Sequence, residues 1–189
     1  MSTELLRRLV EAAQTSSNDA VKILEQLSPD DINLSGVPAH LVPEDAVGYV
    51  PVLKSEAISI GLFVLPPKGC IPLHDHPNMT VLTKVLQGSI EVTSFDFVDR
   101  ISGLARPFFQ GTLKTNAIDI LTPRKGNVHE LATADGAIFI DVIFPPYNSE
   151  RPCTYYEWIA PDDYNTPGVL KTVDTDFYTI LLPYSGPLL

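Results

Sequence analysis

Apolar residues in the first part of the chain recur at helical spacing. Leu5, Leu6, Leu9, Val10 and Ala13 form one stripe, and Val21, Ile23, Leu24 and Leu27 form a second. Steps of three and four predict a pair of amphipathic helices over residues 3–27. The polar run from Thr15 to Asn18 marks the break, and Ser17, Asn18 or Asp19 stands where the second helix needs a cap. The stretch SPDDINL, from Ser28 to Leu34, predicts a short turn with one more helical turn. From Val50 onwards the texture changes. Runs at 56–67, 79–98, 117–123, 136–146 and 154–159 are rich in Ile, Val, Phe, Tyr and Thr, and most end at Gly, Pro, Asn or Asp. Short strands at this spacing predict a mainly β sandwich or barrel. Gly88, between two β-rich runs, is expected at a bend or hairpin. No repeat or linker divides the chain. One domain over 1–189 is expected, with a helical segment at 1–35 packed on a β barrel at 50–189.

Composition narrows the class of partner. Seventeen prolines lie mostly between short apolar runs, which favours strands joined by turns over a helical bundle. Thirteen basic and twenty-three acidic residues leave a net charge of -10. That field repels polyanions, so no nucleic-acid partner is expected. It draws a cationic substrate weakly, or simply keeps the protein in solution. Cys70 and Cys153 do not make a disulfide framework. The opening MSTELLRRLVEAAQ lacks the apolar core of a secretory signal. No apolar run approaches the roughly 20 residues that span a bilayer. The expectation is a monomer with no membrane partner, in the cytoplasm or also the nucleus.

The candidate chemistry lies in the histidines. Two of the four occur as His74-Asp75-His76. Alternate residues of a strand share a face with Cβ atoms about 7 Å apart. Both imidazoles can then reach one ion at about 2.0–2.1 Å, while Asp75 points the other way. Alone, such a pair is equally at home on a surface or in a core. Its surroundings add weight. PPKGCIPLHDH turns the chain into the strand at Gly69, Gly88 follows His76, and TPRKGNVHEL delivers His129 through a turn at Pro123 and Gly126.

This order resembles the two motifs of the cupin superfamily, whose fold is the double-stranded β-helix or jelly-roll barrel. Gly69, His74, His76 and Gly88 fall on or near the first motif, and Pro123, Gly126 and His129 on the second. Many metal cupins carry a Glu ligand soon after HxH. Here residues 77–82 read PNMTVL, with Val81 near that position, which leaves a site of three histidines. Three neutral ligands leave a divalent ion its full charge and about three open positions, as oxygenases require. A structural zinc site would be closed by a fourth protein ligand. His40, in VPAHLVPED, reads as a surface loop residue.

Within the cupins, IPLHDHPNMTVLTKVLQGSIEV (71–92) resembles the iron-binding stretch of the thiol dioxygenases, the family of plant cysteine oxidases and 2-aminoethanethiol dioxygenase. FIDVIFPPY (139–147) is similar to that family's Asp-containing strand and Pro-Pro-Tyr turn, and RPCTYYEW (151–158) to its late Cys-x-Tyr segment. The N-terminal helix pair followed by SPDDINL also has a counterpart there. The resemblance implies one Fe(II), no organic cofactor, and oxidation of a thiol to a sulfinic acid by both atoms of O2. Its implied substrates are amino-terminal cysteine of proteins or peptides, or cysteamine. Oxidised amino-terminal cysteine marks a protein for arginylation and degradation, so an oxygen-sensing role in an N-degron pathway follows as an expectation.

Four further residues are candidates. Asp141 lies among apolar neighbours, where an unpaired carboxylate is costly. It is expected to pair with a metal ligand or a substrate ammonium, unless it lies on the solvent face of an edge strand. Tyr147 is expected to bring its hydroxyl near bound O2 or thiolate, against ordinary packing at the rim. Cys153 and Tyr155 match positions that form a thioether crosslink in some members. Two residues apart on a strand share a face without necessarily reaching bonding distance, and buried packing is the alternative. Cys70 reads as a small turn or core residue. The terminal FYTILLPYSGPLL either covers the barrel mouth or finishes the core. Two other function classes stay open: another mononuclear metal cupin enzyme, such as an isomerase or carbon-directed dioxygenase, and a non-catalytic binding or storage cupin.

Overall fold

The strand β4 (Thr80–Asp99), twenty residues long, belongs to two sheets at once. The computed structural model describes residues 3–163 and 166–187. Helices α1 (Thr3–Thr15) and α2 (Ser17–Gln26) come first, followed by 3-10 turns at Pro29–Ile32, Leu34–Gly36 and Ala39–Leu41. The other strands are β1 (Val47–Lys54), β2 (Ser59–Leu65), β3 (Cys70–Asp75), β5 (Leu104–Lys114), β6 (Ile118–Leu121) and β7 (Val128–Ala132), then β8 (Ala137–Phe144), β9 (Tyr155–Ile159), β10 (Gly168–Val173) and β11 (Thr179–Leu181). The first half of β4 pairs with β8 and β6, in the sheet that runs on through β2, β1 and β11. Its second half pairs with β5 and β7, in the sheet completed by β10, β9 and β3. The crossing falls at Gly88, whose φ is +78°. A side chain there would strike the Gly136 carbonyl, so this bend needs glycine. Gly88 thus bends one continuous strand; it makes no hairpin.

Alternation along β4 and β8 sorts residues between two cores. Leu82 and Leu86 join Ile60, Leu62, Ile140 and Val142 on the outer face, where they meet Leu6, Leu9 and Leu24 of the helices. Val85 and Phe139 point inward and pack with Ile71, Val92 and Leu131 between the sheets. Lys84 lies on the outer face, 2% exposed. Its Nζ donates to the carbonyls of Leu24 (2.9 Å), Glu25 (2.9 Å) and Leu27 (2.7 Å). These carbonyls lie at the end of α2, where Leu24 also accepts the Leu27 N–H (3.1 Å), and the cation complements that end of the helix dipole. A lysine on the sheet thereby fastens the helical segment to the barrel.

The helix pair stands where its periodicity predicts, but the cap of α2 is Ser16, not Ser17, Asn18 or Asp19. Ser16 has extended backbone geometry, and its side chain accepts from the Asp19 N–H. The barrel starts at Val47 rather than Val50, and β5, β10 and β11 lie outside the runs picked out from composition. His40 sits in the exposed 3-10 turn Ala39–Leu41. No helix among the described residues is long and apolar enough to cross a membrane.

Candidate metal site

His74 on β3 pairs in register with His129 on β7 and with Tyr155 on β9. His76 follows the end of β3, where its backbone N–H donates to the Asn127 carbonyl (3.1 Å). The three imidazoles converge, each offering a ring nitrogen, with these atoms within 4.8 Å of one another. All three residues are buried, at 8%, 2% and 1% exposure for His74, His76 and His129. Burial holds each imidazole below its ordinary pKa, and mutual proximity pushes His76 and His129 lower still. Neutral imidazoles are the form that ligates a metal.

Hydrogen bonds aim the rings. His74 Nδ1 lies 2.8 Å from the Pro72 carbonyl, so it carries the proton and leaves Nε2 as the free lone pair. The Tyr147 hydroxyl donates to the Asp75 carbonyl (2.6 Å) and lies 2.8 Å from His76 Nδ1. With its proton committed to that carbonyl, the hydroxyl accepts from His76 Nδ1–H, and His76 Nε2 faces the site. Nε2 of His76 and Nε2 of His129 are 3.0 Å apart. Two nitrogens about 2.1 Å from one ion, at right angles across it, would lie about 3.0 Å apart. The donor set therefore fits a single divalent ion with open positions. His129 Nδ1 is buried and has no hydrogen-bond partner among the described residues.

The alternation that aims two histidines inward turns Asp75 outward, as expected. There it is 1% exposed and heavily used. Oδ1 accepts from the Thr154 N–H (3.0 Å), and Oδ2 from Arg100 Nη1 (2.8 Å) and the Tyr156 hydroxyl (3.1 Å). Asn127 Nδ2 donates to the His76 carbonyl (2.7 Å) and the Thr122 carbonyl (3.1 Å), while Asn127 Oδ1 accepts from Arg100 Nη2 (3.3 Å). Arg100 and Asn127 thus hold the backbone between two candidate ligands in place. Neither was identified from sequence. A carboxylate forced outward between two inward histidines was the available signal that a cation would meet it.

A cavity of about 380 Å³ opens beside the histidines. Its lining includes His74, His76, Asp141, Tyr147, Cys153 and Tyr155. Asp141 lies on a central strand of its sheet, not an edge, and is 4% exposed. Its Oδ1 accepts from Thr83 Oγ1 at 2.6 Å. Burial pushes its pKa up to about 7, with Thr83 acting against the rise and the Asp119 charge adding to it. The Cys153 thiol is within hydrogen-bonding reach of the Tyr147 and Tyr155 hydroxyls; burial raises its pKa and those hydroxyls partly offset the rise. Cys153 is a free thiol, and so is Cys70, which sits exposed at the start of β3 rather than in a core. Phe177, Tyr178 and Thr179 form another wall of the cavity, and Leu182 is buried against the helices. The C-terminal stretch therefore serves both purposes that its sequence left open, as far as the described residue 187.

Fold and site together define a cupin-type barrel with a three-histidine site suited to one metal ion. The chain belongs to the PCO_ADO family, whose model matches residues 23–187. A probable 2-aminoethanethiol dioxygenase from Dictyostelium discoideum is 40% identical over 58% of this chain and 55% of its own length. Plant cysteine oxidase 1 from Arabidopsis thaliana is 35% identical over 71% of this chain and 52% of its own length. The chain thus spans about half the length of these two relatives. A solved cupin superfamily protein from Desulfitobacterium hafniense is 16% identical, with a TM-score of 0.43, over 58% of this chain and 88% of that one.

Proposed function

We propose that this chain is a thiol dioxygenase that uses one Fe(II) and O2 to convert the amino-terminal cysteine of a protein or peptide, or a small aminothiol such as cysteamine, to the sulfinic acid. The observation that carries this reading is the convergence of three neutral imidazoles, with no carboxylate among them, beside a cavity that holds a buried carboxylate. Membership of the PCO_ADO family supports it. The reaction balances as one thiol plus one O2 giving one sulfinic acid, with no separate reductant. The chemistry supplied by Fe(II), when bound, is Lewis acidity toward the thiol and electron exchange with O2.

The remaining work belongs to the protein. His74, His76 and His129 would hold the ion, and Tyr147 keeps His76 in the ligating tautomer. The Asp141 carboxylate accepts hydrogen bonds from the substrate ammonium, a group shared by amino-terminal cysteine and cysteamine, and so places the thiol against the histidines. Phe63, Ile71, Leu131 and Ile143 line the cavity and exclude water. The nearness of the Cys153 thiol to the Tyr155 hydroxyl supports a thioether crosslink between them under oxidising turnover. Two free thiols support a reducing compartment, the cytoplasm or nucleus, where oxidation of amino-terminal cysteine would report oxygen through an N-degron.

The test is anaerobic reconstitution with Fe(II), followed by mass spectrometry after exposing a Cys-initiated peptide and cysteamine separately to air. A gain of about 32 Da, corresponding to sulfinic acid, is expected on at least one. If verified iron-loaded protein modifies neither, the proposal is overturned.

A further inference from the structure

A second depression of about 400 Å³ adjoins the metal cavity. The two share Phe63, Asp141, Ile143, Tyr147 and Thr179 as a common wall. Beyond that wall the second depression is lined by Tyr49, Pro51, Lys54, Ser59, Pro146 and Leu181. A further depression that shares Lys54, Pro146 and Tyr147 with it is also lined by Glu56 and Asn148. The path therefore runs from the histidines past Asp141 to Lys54 at the surface.

Its two ends carry an acidic and a basic side chain. Asp141 lies at the inner end, and Lys54 is, among the described residues, the one cation lining the outer depression. Lys54 is exposed and makes no ion pair among the described residues, Glu56 included. The register fixes the distance between them. Asp141 stands opposite Gly61, Ile143 opposite Ser59, and Ser59 opposite Lys54. Two strand spacings of about 4.8 Å and two residues of about 3.3 Å rise place these backbones about 12 Å apart. An extended peptide spans that in three or four residues. Cysteamine, with two carbons, would fill only the inner cavity.

Resting on the thiol dioxygenase reading, we propose that the second depression is a subsite for the residues that follow an amino-terminal cysteine, with Lys54 selecting a carboxylate at the third or fourth position. The substrate class is then an extended peptide with its ammonium inward at Asp141 and an acidic side chain outward at Lys54. A free aminothiol uses half of the site. The shared wall of Phe63, Ile143 and Tyr147 supplies apolar contact for the intervening residue.

The decisive experiment compares two C-terminally amidated pentapeptides, Cys-Gly-Glu-Glu-Gly and Cys-Gly-Lys-Lys-Gly, with cysteamine as reference thiol. Their Ser-initiated counterparts, which lack the reacting sulfur, are titrated calorimetrically against metal-loaded protein. The acidic peptide should bind and turn over about five-fold better than the basic one, and Lys54→Glu should invert that ratio while Lys54→Gln flattens it. The net charge of -10 favours the basic peptide, so a preference for the acidic one cannot arise from the overall field. Equal binding of the two peptides by wild type, or a ratio unmoved in Lys54→Glu, overturns the subsite even where thiols are oxidised. Loss of oxidation of every thiol by wild type overturns the dioxygenase reading instead.

Discussion

Lys84 and Asp141 sit on neighbouring strands of one sheet and are both buried, yet they live differently. Lys84 points outward and spends three donors on three carbonyls at the end of α2. Asp141 points inward, is held by one threonine hydroxyl, and borders a cavity. Burial disfavours the charge of each, lowering the lysine pKa and raising the carboxyl to about 7. For Lys84 the surrounding carbonyls use every proton it carries, so the group is complete within the fold. For Asp141 the fold supplies one partner and leaves acceptor capacity free. A buried charge that the protein satisfies is a fastening; one that it leaves partly unsatisfied beside a cavity waits for a ligand.

The sharpest break between interior and exterior concerns the histidines. His129→Ala should abolish metal loading, read by elemental analysis, and with it turnover, while circular dichroism keeps the β signature. Near-wild-type turnover would sink the three-histidine site. Next comes Lys84→Met, which takes a donor from three carbonyls, Leu24 alone keeping the Leu27 N–H, and should cost about 3 kcal/mol in urea denaturation while leaving the metal content intact. A neutral result would mean that the helices do not depend on this fastening.

Asp141→Asn should do the reverse. Turnover is expected to fall about 10–100-fold, mainly through weaker binding of an ammonium-bearing thiol. In metal-free protein the folded pKa of about 7 lies above the ordinary 3.8. Between those values the folded state keeps a proton that the unfolded chain has lost, so wild-type stability falls as pH rises from about 4 to about 7. The asparagine variant should lack that slope, measured by denaturation at several pH values. Tyr147→Phe, the mildest change, should weaken metal affinity about ten-fold by freeing the His76 tautomer. A chelator titration reads it, and unchanged affinity would leave Tyr147 as packing only.

The residues that bind most tightly to periodicity were the easiest to read from sequence. The helix stripes, the runs that became β2, β4 and β8, and the two-residue spacing of His74 and His76 each carry their geometry locally. What escaped did so because its cause is remote. In β5 the stretch LARPFFQGTLK contains a proline and a glycine, and most of its residues are exposed, so no inward–outward alternation marks it. β11 is three residues long and owes its existence to parallel pairing with β1. Arg100 and Asn127 are ordinary polar residues until the barrel brings them behind the HxH strand. Lys84 interrupts an apolar run, and nothing nearby in sequence announces the helix end it caps.

The shared strand β4 has a bearing on how the molecule breathes. Hydrogen bonds from both sheets terminate on one backbone on either side of Gly88, so peeling either sheet open drags on the other. Amide protons of its buried residues, around Val81–Val85 and at Ile90 and Val92, should form a single slowest-exchanging class that opens only with global unfolding. The barrel is in that sense stitched rather than hinged, and openings that need less than global unfolding are left to segments away from the seam.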